Sequence, residues 1–477
     1  MTIRTTLAAS LLLLATACSG GGGGAPAVSD ADRAYGAEQH PKLLAELGGV
    51  YPGDEAAYVE AVGERVAAAA GLDGHCVFTL VNSNVVNAFA VPGCYIYVTR
   101  GLFAVMTSEA ELAAVLGHEL GHIVGAHSRR QGQRSIWRQL GVILVSFTGS
   151  ETLTRLAGQA AQYFTLRYSR GQEYESDALG ISYVGAAGYD PYAAADMLAA
   201  LGRQERFMTE TGGRDSARSI PEWARSHPLT GNRVERARST AAATGLADDQ
   251  LPENEAAYHA PVDGLLFGDD PAQGFVIGRR FAHPELGIVF EAPPGFTLTN
   301  SPQAILLEGP GGIRGEFGLG SIESAGIEAY AERLAQGVVG DAPAELIGAQ
   351  REIVNGLPAA ILELAIATDQ GPVPVTIAAY AGGGNRAYHF VMVAPPRSDR
   401  APLAPLIASF RLLAPEERAS LRPRVIRTIV ARPGDTPATL ARNMADADPL
   451  ALFLLLNGVT ADAPLRPGQP VKIVTVR

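Results

Sequence analysis

The most constraining feature of this chain is His118-Glu119-Leu120-Gly121-His122, set within Leu112, Val115, Leu116, Leu120 and Ile123 at helical spacing. Ser108 stands three residues before Glu111, the pattern of a capping box, so one helix is predicted over 109–128. At i and i+4 the two imidazoles share a face one turn apart, close enough to hold one tetrahedral Zn²⁺. Glu119 lies roughly 100° further round, near enough to reach a water at the metal without being a ligand. With 9 His in 477 residues, chance supplies on the order of 0.02 such motifs, so coincidence is set aside.

A catalytic zinc takes three protein ligands and keeps one position open, which requires a third ligand elsewhere. His127 is nearest in sequence, but the spacing HExxHxxGxxH would need His at 128, where the chain has Ser128, so His127 is read as structural. Glu173 and Asp177 are the better pair, sharing one face of a second predicted helix over 154–187. Glu173 would bind the metal, and Asp177 would accept the free N–H of a ligating imidazole. Gly117, Gly121 and Gly125 recur every four residues, although each costs about 1 kcal/mol against Ala. Their row predicts that the Glu173 helix packs closely against this face.

HExxH on one helix and ExxxD on a later one resembles the gluzincin arrangement, and the details resemble the HtpX/BepA/CAAX prenyl protease family of zinc metallopeptidases. Asn87-Ala88-Phe89-Ala90 with Pro92-Gly93, then Tyr95 to Leu102, is similar to the strand segment before that family's zinc helix, and so is Ser226-His227-Pro228 with Arg233. Cys94 departs from the pattern, since a second Gly often follows the Pro-Gly pair. The likeness covers about 40–250 and implies a zinc endopeptidase with one Zn²⁺ per chain held by His118, His122 and Glu173. Glu119 would be the general base, and His227 and Arg233 would hold the oxyanion, with His227 able to fill the open zinc position in a latent form. Asn87, Ala88 and Phe89 would offer a strand edge to substrate backbone.

Residues 1–17 pair Arg4 with an apolar run through Leu11, Leu12, Leu13 and Leu14, an export signal too short for a permanent span. Leu14-Ala15-Thr16-Ala17-Cys18 resembles a bacterial lipobox, so Cys18 is expected to carry lipid and 18–29, with Gly20 to Gly24, to act as a tether. Lipidating Cys18 leaves Cys76 and Cys94 as an even pair in an oxidising compartment, which predicts a disulfide; an isolated pair without CxxC spacing argues little for a metal site. The implied location is the periplasmic side of the bacterial cell envelope, on the outer membrane before the inner.

The expected fold class is multidomain α+β. A mainly helical protease domain with a small sheet spans 30–250, and a linker follows at 251–274. A strand-rich α/β domain of unknown role occupies 275–415, its outline resembling the PsbP-type sandwich by pattern alone. After a linker at 416–423, residues 424–477 read strand, helix, helix, strand and resemble a LysM module, which binds N-acetylglucosamine-containing glycans such as peptidoglycan. The balance of 38 Lys+Arg against 49 Asp+Glu offers no basic field for nucleic acid. Expected partners are therefore unfolded or misassembled envelope proteins, peptidoglycan and, through the anchor, a membrane. Two other readings share these features: a hydrolase of peptidoglycan stem peptides, and a latent or non-enzymatic chaperone and assembly factor.

Overall fold

The computed structural model describes residues 28–130, 168–211, 223, 227, 232–322, 326–367 and 371–477. The leader, Cys18, the glycine tether up to residue 27, residues 154–167, Ser226 and Pro228 lie outside the described residues, and the second helix, predicted over 154–187, begins at Arg170 because Ser169 is extended and caps it.

The helix Glu109–Val124 is the axis of the first domain and is buried on all sides. Apart from Glu109, Glu111, His118, Glu119 and His122, which go inside with the rest, its residues are Ala, Val, Leu, Ile and Gly, which suits burial. Ser108 Oγ accepts from Glu111 N at 3.1 Å, as a cap should. The reciprocal half of the box is replaced: the Glu111 carboxylate accepts from Thr107 N and Thr107 Oγ1. The helix stops four residues earlier than predicted. Gly125 is its C-cap, Ala126 turns into the left-handed region at φ 50°, and a short helix, His127–Arg130, follows.

Three strands lie beside this helix in the order Val77–Val81, Tyr95–Thr99, Ala88–Val91. The first pair is parallel and the second antiparallel, which places Ala88–Val91 at the sheet edge. The turn between the last two strands needs positive φ at both Gly93 (101°) and Cys94 (66°), which explains why a glycine is at home at position 94. Cys94 occupies it under a disulfide to Cys76, as expected from cysteine parity. Closing that 18-residue separation contributes about 3 kcal/mol.

In the middle region a seven-stranded antiparallel sheet runs from Ala344–Val354 at one edge to Thr297–Asn300 at the other. The helix Gly326–Val339 covers one face. The other packs Phe317 and Phe390 against Phe290, which belongs to a smaller four-stranded sheet. Helices and several sheets in one chain agree with the α+β expectation.

Both stretches expected as linkers are structured. Residues 251–274 carry the helix Glu255–Val262 and the strand Leu266–Phe267, and 416–423 begins within the helix Pro415–Ser420. Leu266–Phe267 pairs with Arg424–Val430, which pairs in turn with Pro470–Val476, and the helices Pro437–Ala441 and Pro449–Asn457 complete a βααβ unit. This unit shares one apolar core with the zinc-motif domain: Leu452, Phe453, Leu456 and Val474 lie in the same cluster as Phe103 and Leu116. Lys472, fully buried, donates to the carbonyls of Ala104 (2.8 Å) and Met106 (2.6 Å) at the foot of the HExxH helix.

A shared core predicts shared unfolding. Phe453→Ala should destabilise the unit by about 3–5 kcal/mol. Trp137 and Trp223, the chain's 2 tryptophans, both lie in 30–250. Their fluorescence in a denaturant titration should therefore shift with the mutation, whereas an independent C-terminal module would leave that transition in place.

Candidate metal centre

The centre is built where the Glu109–Val124 helix meets the helix Arg170–Ala186. Ser169 caps the second helix with a reciprocal bond to Gln172, so Glu173 falls in its first turn. The two helices approach to backbone contact. A Cβ added at Gly117 would stand 3.1 Å from Gly180 O, one at Gly121 would stand 2.8 Å from Ser176 O, and one at Gly180 would stand 2.8 Å from His118 N. The seam expected from Gly117 and Gly121 is present, with Gly180 as its unforeseen counterpart seven residues after Glu173. Gly125 is a correction: its missing Cβ makes room for the His127 ring, not for the second helix.

That approach gathers four donors. His118 Nε2 lies 3.0 Å from His122 Nε2 and 3.2 Å from His227 Nδ1. Glu173 places Oε1 3.0 Å from His227 Nδ1 and 3.7 Å from His122 Nε2, with Oε2 3.6 Å from His118 Nε2. One ligand atom from each of His118, His122, Glu173 and His227 falls within 4.8 Å of all the others, and all four residues are buried. Zn–N bonds of about 2.05 Å in a tetrahedron put ligand atoms about 3.3 Å apart, so the donor set fits that ion. Asp177 Oδ1 lies 2.9 Å from His118 Nδ1, on the ring edge facing away from the cluster.

The electrostatics follow from burial. Burial works to raise the Glu173 carboxyl, but His227, His118 and Arg233 outweigh it and hold it below the ordinary value. Asp177 is held far below in the same way, burial being overcome by His118 and Arg233. Burial and the neighbouring His118 and His227 rings push His122 well down, which keeps it neutral. Glu119 has the opposite balance. Burial lifts its carboxyl to about 7, and Glu173 adds to the rise while His118 opposes it. The Ala90 backbone N–H also works against the rise, and Oε1 lies 3.6 Å from His227 Nε2. A buried carboxyl group that no cation clamps, beside the donor cluster, is open to a proton-bearing reactant.

Arg233 stands elsewhere than expected. Its guanidinium is committed to Asp177, through Nε (3.0 Å) and Nη2 (2.7 Å), and to Glu173 Oε2 through Nη1 (2.9 Å), at 1% exposure. It fixes the two carboxylates and does not present itself to a substrate oxygen. His227 sits among the ligand atoms. Asn87 is fully buried, with neither amide atom partnered among the described residues, just before the edge strand. Phe89 stacks its ring on Tyr97 at 4.8 Å, in a strand whose four residues are all buried. Three neighbours were not singled out in the sequence: Tyr168 stacks on His122 at 3.7 Å, Trp223 stacks on His227 at 4.2 Å, and Glu175 faces His127. Aromatic rings carry no metal signature, and only Glu175, beside Glu173, offered any sign.

Gly121→Leu should force the helices apart at Ser176 and move Glu173. Zinc affinity, measured by competition with a chelator, is expected to fall by at least about tenfold, the low end of what displaced ligand support costs.

Comparison with known proteins agrees with this geometry. Residues 54–241 match the model of Peptidase family M48. The beta-barrel assembly-enhancing protease of Yersinia pestis is 31% identical over 196 residues, covering 39% of this chain and 38% of its own. The mitochondrial metalloendopeptidase OMA1 of Arabidopsis thaliana is 34% identical over 125 residues, 26% of this chain and 25% of its own. The beta-barrel assembly-enhancing protease of Escherichia coli strain K12 is 29% identical over 195 residues, 39% and 38% of the two chains. This chain thus spans less than two-fifths of the length of these relatives. Among solved structures, cyanobacterial PsbP from Synechocystis sp. PCC 6803 covers 28% of this chain and 91% of its own at 13% identity, with a TM-score of 0.23, too slight a likeness to argue from.

Proposed function

We propose, from the match of residues 54–241 to the model of Peptidase family M48, that the chain is a zinc-dependent endopeptidase acting on proteins of the bacterial cell envelope. The observation that carries this reading is the convergence of His118, His122 and Glu173 beside the buried carboxyl group of Glu119. Bound there, zinc supplies Lewis acidity toward water and the scissile carbonyl. His118, His122 and Glu173 hold it, while Asp177 and Arg233 hold them. Glu119 accepts a proton from the attacking water and later returns one to the leaving amine. The edge strand Ala88–Val91 receives substrate backbone in extended form, a mode that tolerates many side chains and favours unfolded chains.

Relatives named as a beta-barrel assembly-enhancing protease and a metalloendopeptidase support protein substrates. Unfolded or misassembled envelope proteins are the proposed class. No helix among the described residues is long and apolar enough to cross a membrane. The proposed attachment is lipid on Cys18, and the βααβ order of 424–477 supports peptidoglycan contact through a LysM-like surface.

His227 favours a latent resting state, because its Nδ1 lies with the ligand atoms. Filling the fourth position would exclude substrate until the segment around it moves. Glu119→Gln should lower cleavage of casein or an unfolded envelope protein by about 10²–10⁴-fold while zinc content stays at wild-type level. Unchanged cleavage in that variant, or a wild-type protein without zinc, would overturn the assignment. His227→Ala should raise basal cleavage; a fall would instead assign His227 to the oxyanion. Purified sacculi offered beside the unfolded protein should remain intact.

A further inference from the structure

His127 was read as a structural residue, yet its ring touches a metal ligand. His122 points Nε2 at the ligand cluster, so its Nδ1 faces outward, 2.8 Å from His127 Nδ1. On the far side of His127, Nε2 lies 3.2 Å from Glu175 Oε2, and Arg130 Nη1 lies 2.9 Å from that same oxygen. Ser176 Oγ, at 3.3 Å, is the longer contact to His127 Nδ1. The ring is fully buried.

The backbone is arranged for this placement. Gly125 leaves space that a Cβ would take, standing 2.5 Å from His127 Nε2. Ala126 adopts φ 50°, a left-handed conformation that L residues seldom take, and so turns His127 back toward the helix it has just left. A missing side chain at Gly125 and a left-handed Ala126 therefore serve one contact.

We infer that Glu175 and His127 form a hydrogen-bonded relay that sets the tautomer and orientation of His122, with His127 as a positioning residue. A His122 that ligates through Nε2 carries its hydrogen on Nδ1 and donates it to His127 Nδ1. That nitrogen must then be bare, so His127 carries its hydrogen on Nε2 and donates it to Glu175, which Arg130 holds as the anion. The two ligating imidazoles are thus supported differently. His118 faces the Asp177 carboxylate directly, whereas His122 reaches a carboxylate only through a neutral ring.

This rests on the zinc reading above, and the test separates the two. Metal-free full-length protein is titrated with Zn²⁺ against a chromophoric chelator, and Co²⁺-substituted forms are compared by absorption spectrum. His127→Phe keeps the ring's bulk without an acceptor, whereas His127→Asn puts an amide oxygen where Nδ1 was. The Phe variant should lose about 10–100-fold in zinc affinity and shift the Co²⁺ bands, while the Asn variant should stay within about threefold of wild type. A Phe variant that binds like wild type, or an Asn variant that falls as far as Phe, overturns the relay. Glu175→Ala acts at the half-exposed end, away from the core, and should weaken zinc binding by about threefold or more; no change there also overturns it. A wild-type protein that binds no zinc would instead defeat the underlying reading.

Discussion

Two helices meet with backbone against backbone at Gly117, Gly121, Ser176 and Gly180, and the rest of the centre depends on that separation. A ligand set spanning two helices must be held to within a fraction of an ångström, because metal–ligand bonds tolerate little variation. Side chains at Gly117, Gly121 or Gly180 would meet the facing backbone and move Glu173 outward by more than a bond can follow. The glycines lower intrinsic helix propensity, and the burial of the whole Glu109–Val124 helix offsets that cost.

Gathering three imidazoles and three acidic groups in a buried interior creates a second constraint, that of charge. Burying carboxylates is costly unless each is paired and hydrogen-bonded. Arg233 meets it by bridging Glu173 and Asp177, and His118 takes the remaining contact with Asp177. Glu119 is left outside this pairing. The same environment therefore keeps two acids ionised and leaves the third open to a proton, which is how neighbouring carboxyl groups come to take different roles.

Much of the centre was legible because its chemistry is local and periodic. His118 and His122 declare themselves at i and i+4, Glu173 and Asp177 do the same, and two glycines on the first helix announced the seam. Gly180 was equally periodic with Glu173 but had no chemistry to draw attention to it. His127 stays outside the donor cluster, as its spacing implied, but its contact with His122 was not legible because it depends on the helix ending at Val124. The continuous helix predicted to residue 128 would have pointed its ring elsewhere, and the left-handed turn at Ala126 lies at a residue with no propensity for it. The motif around Arg233 records which residue is present, and not that its guanidinium binds Glu173 and Asp177.

From its sequence alone this protein determined a helix carrying HExxH, an acidic partner helix, a cysteine pair, an α+β mixture and an excess of acidic over basic residues. These follow from residue type and spacing, which act within a few turns or strands. Tertiary structure decided that 424–477 completes the core of the metal domain, that 251–274 carries a strand which joins them, and that His227 stands among the ligands. Those outcomes depend on contacts between residues hundreds of positions apart, as Lys472 with Ala104 illustrates. No periodicity encodes such pairs, because they exist only when the separate apolar faces find one another in a single packed interior.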